Sequence, residues 1–158
     1  MTRLSHVDAD GAARMVDVSA KAATARLARA AGSIRMGRAT FEAVRDNAVA
    51  KGDVLGVARI AGVMAAKRTA ELVPLCHALP LDDVQVELLL DDALPGVQVE
   101  AVARTTGRTG VEMEAITAVS IALVTIYDMA KALDREMVIS DIRLLEKSGG
   151  RSGLWRRG

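Results

Sequence analysis

Asp128 and Lys131 stand three residues apart in the stretch GVEMEAITAVSIALVTIYDMAKAL (110–133), which carries no charge between Ala115 and Tyr127. At helical spacing the two side chains share a face, about 5–6 Å apart. A carboxylate beside an amine in so apolar a setting is costly unless paired or used. A desolvated lysine next to a carboxylate is also how proton carriers are tuned toward neutral pH. A structural ion pair is the competing reading, and the cost of burial favours catalysis. The same stretch opens with Glu112 and Glu114. Thr109 to Glu112 fits a Thr-x-x-Glu capping box, which competes with a ligand-binding role for Glu112. The helix dipole favours the Glu114 carboxylate in either case.

Three further positions carry chemistry-bearing side chains. Lys51 precedes a helix that Asp53 can cap. A cation there opposes the dipole unless an anion binds between them, and a solvated turn lysine is the plainer alternative. Cys76 and His77 are neighbours in an extended connector and so point opposite ways. The only other histidine is His6, so a metal centre would have to borrow ligands from elsewhere. His77 suits proton transfer or hydrogen bonding to a substrate, or else is a satisfied interior histidine. The turn Lys147-Ser-Gly-Gly-Arg-Ser-Gly153 has the composition of a phosphate cradle without P-loop order, and a flexible tail is the simpler reading.

The elements that position these groups follow from periodicity. Residues 1–14 are a polar, loosely ordered leader, and Met15–Lys21 begins as a short strand. In 25–37, Ala28, Ala30, Ile34 and Met36 alternate with Arg29, Ser33 and Arg35, which favours a strand. A short helix over 40–47 and a longer one over 54–72 come next, the latter stopped by Pro74. Strands over 84–90 and 97–107 flank the turn DDALPG as a hairpin. The apolar helix follows, then a strand in the first half of 137–150, and RSGLWRRG (151–158) has no pattern that would order it. Strand, helices, strand, strand, helix, strand is an α+β order of ferredoxin-like type. It implies a split βαβ antiparallel sheet with helices packed on one face, in a single domain over 1–158.

Composition narrows the function classes. Hydrophobic residues make up 51% of the chain with one Phe, one Tyr and one Trp, and mean hydropathy is +0.22. So apolar a surface implies subunit contacts. Net charge of +1 provides no global field for nucleic acid or an anionic membrane. The 115–127 run is too short to span a bilayer, the N-terminus has no signal core, and a single cysteine fits a reducing, cytoplasmic compartment. Glu114 and Asp128 are fourteen residues apart, about 21 Å along one helix. They serve one site only if one subunit offers the start of its helix and another the end.

The segments MVDVSAKAAT, KGDVLGVARIAGVMAAKRTAELVPLCHALPL, RTTGRTGVEMEAITAVSIALVTIYDMAKALDREMVI and LLEKSGGRSG together resemble the MoaC-type cyclic pyranopterin monophosphate synthases of molybdenum cofactor biosynthesis. The resemblance covers nearly the whole chain. It implies a ferredoxin-like homohexamer, a trimer of dimers with active sites between subunits. It also implies a lyase that rearranges 3′,8-cyclo-7,8-dihydro-GTP and releases pyrophosphate, with no required cofactor, although Mg²⁺ can accompany the triphosphate. Family positions place binding on Leu75, Cys76, His77, Met113 and Glu114, and catalysis on Asp128 with Lys131 and Lys51. Lys147, Lys21 and Arg26 match positions of substrate contact, and Glu112 joins the ring-binding group. Ala78 stands where the family usually has proline, and Arg151 where lysine is common. A nucleotide-binding regulatory module without chemistry is the alternative class.

Overall fold

Alternation along two neighbouring strands sets the core. In β1 (Thr24–Arg35) Ala28, Ala30 and Ile34 are fully buried, while in β3 (Gly96–Gly107) buried Val97, Val99, Ala101 and Ala103 alternate with the less buried Gln98, Glu100, Val102 and Arg104. The computed structural model describes residues 6–158. Its remaining elements are α1 (Arg38–Arg45), α2 (Val54–Lys67), α3 (Thr69–Leu72), β2 (Asp83–Asp91), α4 (Glu112–Ala130), β4 (Val138–Ser148) and β5 (Trp155–Arg156). The sheet runs β2-β3-β1-β4-β5 with every pair antiparallel. This is the ferredoxin-like split βαβ order, with β1 and β3 at the centre and β5 added at one edge. The hairpin turn closes as its composition predicts, the Asp91 carboxylate accepting from the backbone N–H groups of Ala93 and Leu94 at 3.1 Å each.

Small residues decide how closely the helical layer approaches. Ala115, Ala118, Val119, Ala122, Leu123, Ile126 and Ala130 of α4 have no exposed surface. Each of the larger ones contributes roughly 1.5–3 kcal/mol by burial. A Cβ on Gly32 of β1 would meet Leu123, Ile142 and Val119 side chains at 2.9–3.0 Å, and one on Gly62 of α2 would lie 3.0 Å from the Ala118 carbonyl oxygen. Among the described residues α4 is the one helix long and apolar enough to cross a bilayer, yet much of its surface is enclosed by the sheet and α2.

Several expectations are corrected. Met15–Lys21 forms no strand; its backbone is engaged elsewhere, the Val16 carbonyl by His77 Nε2 and the Lys21 N–H by the Val18 carbonyl. Residues 1–5 of the leader lie outside the described residues. From His6 onward the leader folds back through a Val7–Ala13 bridge, with Asp8 accepting from Asp10 and Ala12 N–H groups. The helix expected over 54–72 breaks after Lys67, where the Thr69 hydroxyl donates to the carbonyls of Ala65 and Ala66 and competes with the backbone ladder. β4 continues through Ser148, and the tail forms β5 by pairing Trp155 and Arg156 with Lys147 and Glu146. Within the single chain, α4 leaves Met113, Val124 and Asp128 facing outward.

Gly32→Val should therefore cost about 1–3 kcal/mol through overpacking at the β1–α4 contact, measured by urea unfolding. An unchanged midpoint would mean that the sheet and α4 sit further apart than described.

Candidate active site

The start of α4 collects most of the candidate side chains. The capping box does not form: Val111 occupies the N-cap position without a side-chain bond, and Glu112 faces Lys147 of β4, Oε1 to Nζ 3.5 Å. Glu114 is 2% exposed. Its Oε1 lies 3.8 Å from Cys76 Sγ, and its Oε2 has no hydrogen-bond partner. Burial raises its pKa above the ordinary carboxylate value, although the thiol contact works the other way. Burial and the adjacent Glu114 charge also push the Cys76 thiol up to about 11. His77 donates from Nε2 to the Val16 carbonyl at 2.7 Å, since a carbonyl can only accept. The connector holding His77 is fixed on β3 by the Thr105 hydroxyl, which donates to the Pro80 carbonyl at 2.5 Å. Ala78 thus lies in a segment tied down beyond it.

Two clefts meet at Thr109, Gly110 and Glu112. One, of 710 Å³, is lined by Lys21, Arg26, Arg108, Lys147 and Arg151. The other, of 480 Å³, is lined by Val73, Leu75, Cys76, His77, Met113 and His6. A smaller crevice of 120 Å³ behind His77 reaches Glu114. Gly149 (φ 94°) and Gly150 (φ 71°) adopt left-handed backbone, and a Cβ on either would strike β1: at Ala25 O for the first, at the Arg26 guanidinium for the second. Their bareness lets the Lys147–Ser152 turn press against Arg26. Lys147 also donates to the Ser152 hydroxyl at 2.6 Å, so the tail turn is part of the cleft wall. Arg108, Arg151 and His6 were not assigned to the site from sequence. Arg108 sits in the GRTG loop immediately before α4, and that placement is the signal that could have found it.

The far end of α4 holds a separate cluster. Asp128 accepts from Lys131 through Oδ1 (2.8 Å) and from Lys51 through Oδ2 (3.0 Å), and Lys51 also donates to the Asp128 carbonyl at 3.0 Å. Lys51 is thus committed to α4, and Asp53 caps α2 by itself, accepting from Gly56 N–H at 2.9 Å. The setting expected to be desolvated is half open in the single chain, at 53% exposure for Asp128 and 51% for Lys131. The hydrogen bonds from Lys131 and then Lys51 accordingly hold the Asp128 carboxyl below the usual range rather than moving it toward neutrality. One chain thus gathers Cys76, His77, Glu112, Glu114 and the basic side chains at one end of α4, and Asp128, Lys131 and Lys51 at the other. Among the described residues no group of three or more His, Cys, Asp or Glu side chains is arranged to hold a metal ion.

Comparison with known proteins identifies the family. The model of the MoaC family matches residues 15–150. The chain is 59% identical over 156 residues to a cyclic pyranopterin monophosphate synthase of Novosphingobium aromaticivorans, spanning 99% of this chain and 98% of that protein. It is 58% identical to the synthase of Heliobacterium modesticaldum over 99% of both chains. Against that of a Methylobacterium strain it is 62% identical, over 97% of this chain and 96% of the other.

The two ends titrate in opposite senses. Because its folded-state pKa is depressed, Asp128 contributes stability above the ordinary aspartate range and loses it as pH falls through the folded value. Carboxyl-carbon NMR should find it titrating below that range and returning toward it in Lys131→Ala. An ordinary value in the unsubstituted chain would contradict the paired geometry. Glu114 has a raised folded-state pKa, so its ionisation opposes folding as pH rises from the ordinary glutamate value through the folded one. Glu114→Gln should raise thermal stability at pH 8 relative to the unsubstituted chain and gain least at pH 4. An equal gain at both would place the carboxylate in water.

Proposed function

The chain belongs to the MoaC family, and from that membership we propose that it is a cyclic pyranopterin monophosphate synthase. It converts 3′,8-cyclo-7,8-dihydro-GTP to the cyclic phosphate and releases pyrophosphate. The observation that carries the reading is the meeting of a basic cleft and a ring-sized cleft at the start of α4. Five basic side chains against the single carboxylate of Glu112 leave about four positive charges, matching a nucleoside triphosphate. Leu75, Cys76, His77 and Met113 line the adjoining space for the purine-derived rings, with Glu112 and Glu114 as acceptors for ring N–H groups.

The chemistry calls for more than one proton carrier. Opening one ring and closing another moves protons at several positions, which suits a group containing both a carboxylate and amines. In the last step a ribose-derived hydroxyl attacks the innermost phosphorus. Its proton passes to a base, the bond to the β-phosphate oxygen breaks, and pyrophosphate leaves against Lys21, Arg26, Arg108 and Lys147. We assign the proton transfers to Asp128, Lys131 and Lys51. These side chains supply the charge locally, without a resident cofactor, and any Mg²⁺ would enter as part of the triphosphate substrate.

Those three residues reach the clefts from a second copy of the chain. Met113, Ile116, Ser120, Val124 and Asp128 recur at three- and four-residue spacing along one face of α4, and Val57, Ile60 and Met64 on α2 are also exposed. Packing α4 antiparallel to its counterpart across a two-fold axis near Ser120 buries this stripe. It also sets Glu112–Glu114 of one subunit beside Asp128–Lys131 of the other. Such dimers assemble further to a cytoplasmic homohexamer, consistent with the single free cysteine.

Asp128→Ala and His77→Ala should each abolish pyrophosphate release while leaving the oligomer intact. Mixed and re-equilibrated, they should recover about a quarter of the normal rate, because half the pairs are mixed and each mixed pair has one whole site. No recovery in demonstrably mixed oligomers would place the site within one chain. Saturable binding of the cyclised nucleotide without product in the unsubstituted protein would make it a regulatory module instead.

A further inference from the structure

Glu114 is the one residue among those described with a buried side-chain oxygen that lacks any partner: Oε2 is unbonded, although the residue is 2% exposed. A buried carboxylate oxygen without a donor is costly, and such an oxygen is kept where something else completes it. Its sister Oε1 has one side-chain donor, the Cys76 thiol at 3.8 Å. That thiol also lies 3.7 Å from the His77 carbonyl, but an ionised carboxylate is the stronger acceptor for its single proton. Cys76 is the only cysteine in the chain.

We propose that Cys76 is a positioning residue whose thiol holds the Glu114 carboxylate by Oε1, keeping Oε2 free and fixed as the acceptor for a ring N–H of the substrate. A thiol suits this because it is a weak donor. It selects the rotamer of Glu114 while withdrawing little of the carboxylate's basicity, whereas a hydroxyl would bond more strongly and a methyl group not at all. Burial keeps the thiol protonated through the neutral range, so the donor is present wherever the protein works. The proposal deepens the synthase reading and rests on it for its kinetic arm, while the geometry is testable without turnover. Around the pair, Glu112 adds repulsion, His77 lies next in sequence, and Lys67, Arg68 and Glu71 line the crevice behind. All five stay constant in the comparisons that follow.

The geometric arm uses iodoacetamide alkylation of the single cysteine as a function of pH. Glu114→Gln removes the carboxylate charge beside the thiol, so alkylation at pH 9 should accelerate about three-fold or more. An unchanged rate would show that the two groups do not touch and would overturn the proposal. The kinetic arm follows kcat/KM for pyrophosphate release in Cys76→Ala and Cys76→Ser. Loss of the donor in the alanine variant should cost about ten-fold and shift the acid limb to higher pH, since the thiol contact lowers the Glu114 pKa. The stronger hydroxyl donor of the serine variant should retain most activity and shift the acid limb to lower pH. In a Glu114→Gln background Cys76→Ala should cost less than about two-fold further. Limbs that stay put in both variants, or a full additive loss in the double variant, would overturn the positioning role. Absence of turnover in the unsubstituted protein would instead remove the synthase reading, and the alkylation arm would still decide whether the contact exists.

Discussion

The close approach of α4 to β1 and α2 is the contact on which the rest of the molecule depends. Gly32 and Gly62 present no side chain at the two nearest points, and alanines fill most of the shared surface. With so few aromatic residues available, density comes from bringing backbones together rather than from large side chains filling gaps. The consequence is a helix whose axis is held tightly by its neighbours. Groups at its two ends are then held at a set separation, which the proposed site shared between subunits requires.

The same helix treats its two acidic ends in opposite ways. At the first turn, Glu114 is inside, with a thiol as its only side-chain donor, and desolvation makes it a weaker acid. At the last turn, Asp128 is half open and gripped by two lysines, which make it a stronger one. Burial decides the first case and local charge the second. An acceptor with an open lone pair and a carboxylate flanked by amines are different tools, and α4 carries one at each end.

At the start of α4, the basic cleft depends on a turn whose role is mechanical. Gly149 and Gly150 take left-handed backbone so that the tail can lie against β1, and only then do Lys147 and Arg151 stand beside Arg26 and Arg108. β5 holds the turn from beyond by pairing with β4. A local charge cluster of this kind is how a chain with a net charge of +1 can offer a strongly anionic ligand a favourable site.

Much of this was legible in the residues themselves, because alternation in 25–37 and 97–107 and the uncharged run of 115–127 are periodic signals that act over a few residues. The strand and helix order, the hairpin turn, the Asp53 cap and the Asp128–Lys131 pair all follow from such short-range physics. The failures have long-range causes. Thr109-x-x-Glu112 had the pattern of a capping box, but Lys147, thirty-five residues on, claimed the carboxylate. Lys51 had the position of an anion-binding lysine, yet Asp128 lies within reach across the fold. Met15–Lys21 had strand character, yet His77 and a local turn took its backbone groups, while the unpatterned tail paired with β4. Sequence by itself determined the order of the main strands and helices and which side chains carry charge. Tertiary structure alone decided which charges meet and how much water each retains, because those quantities depend on distances between residues far apart along the chain.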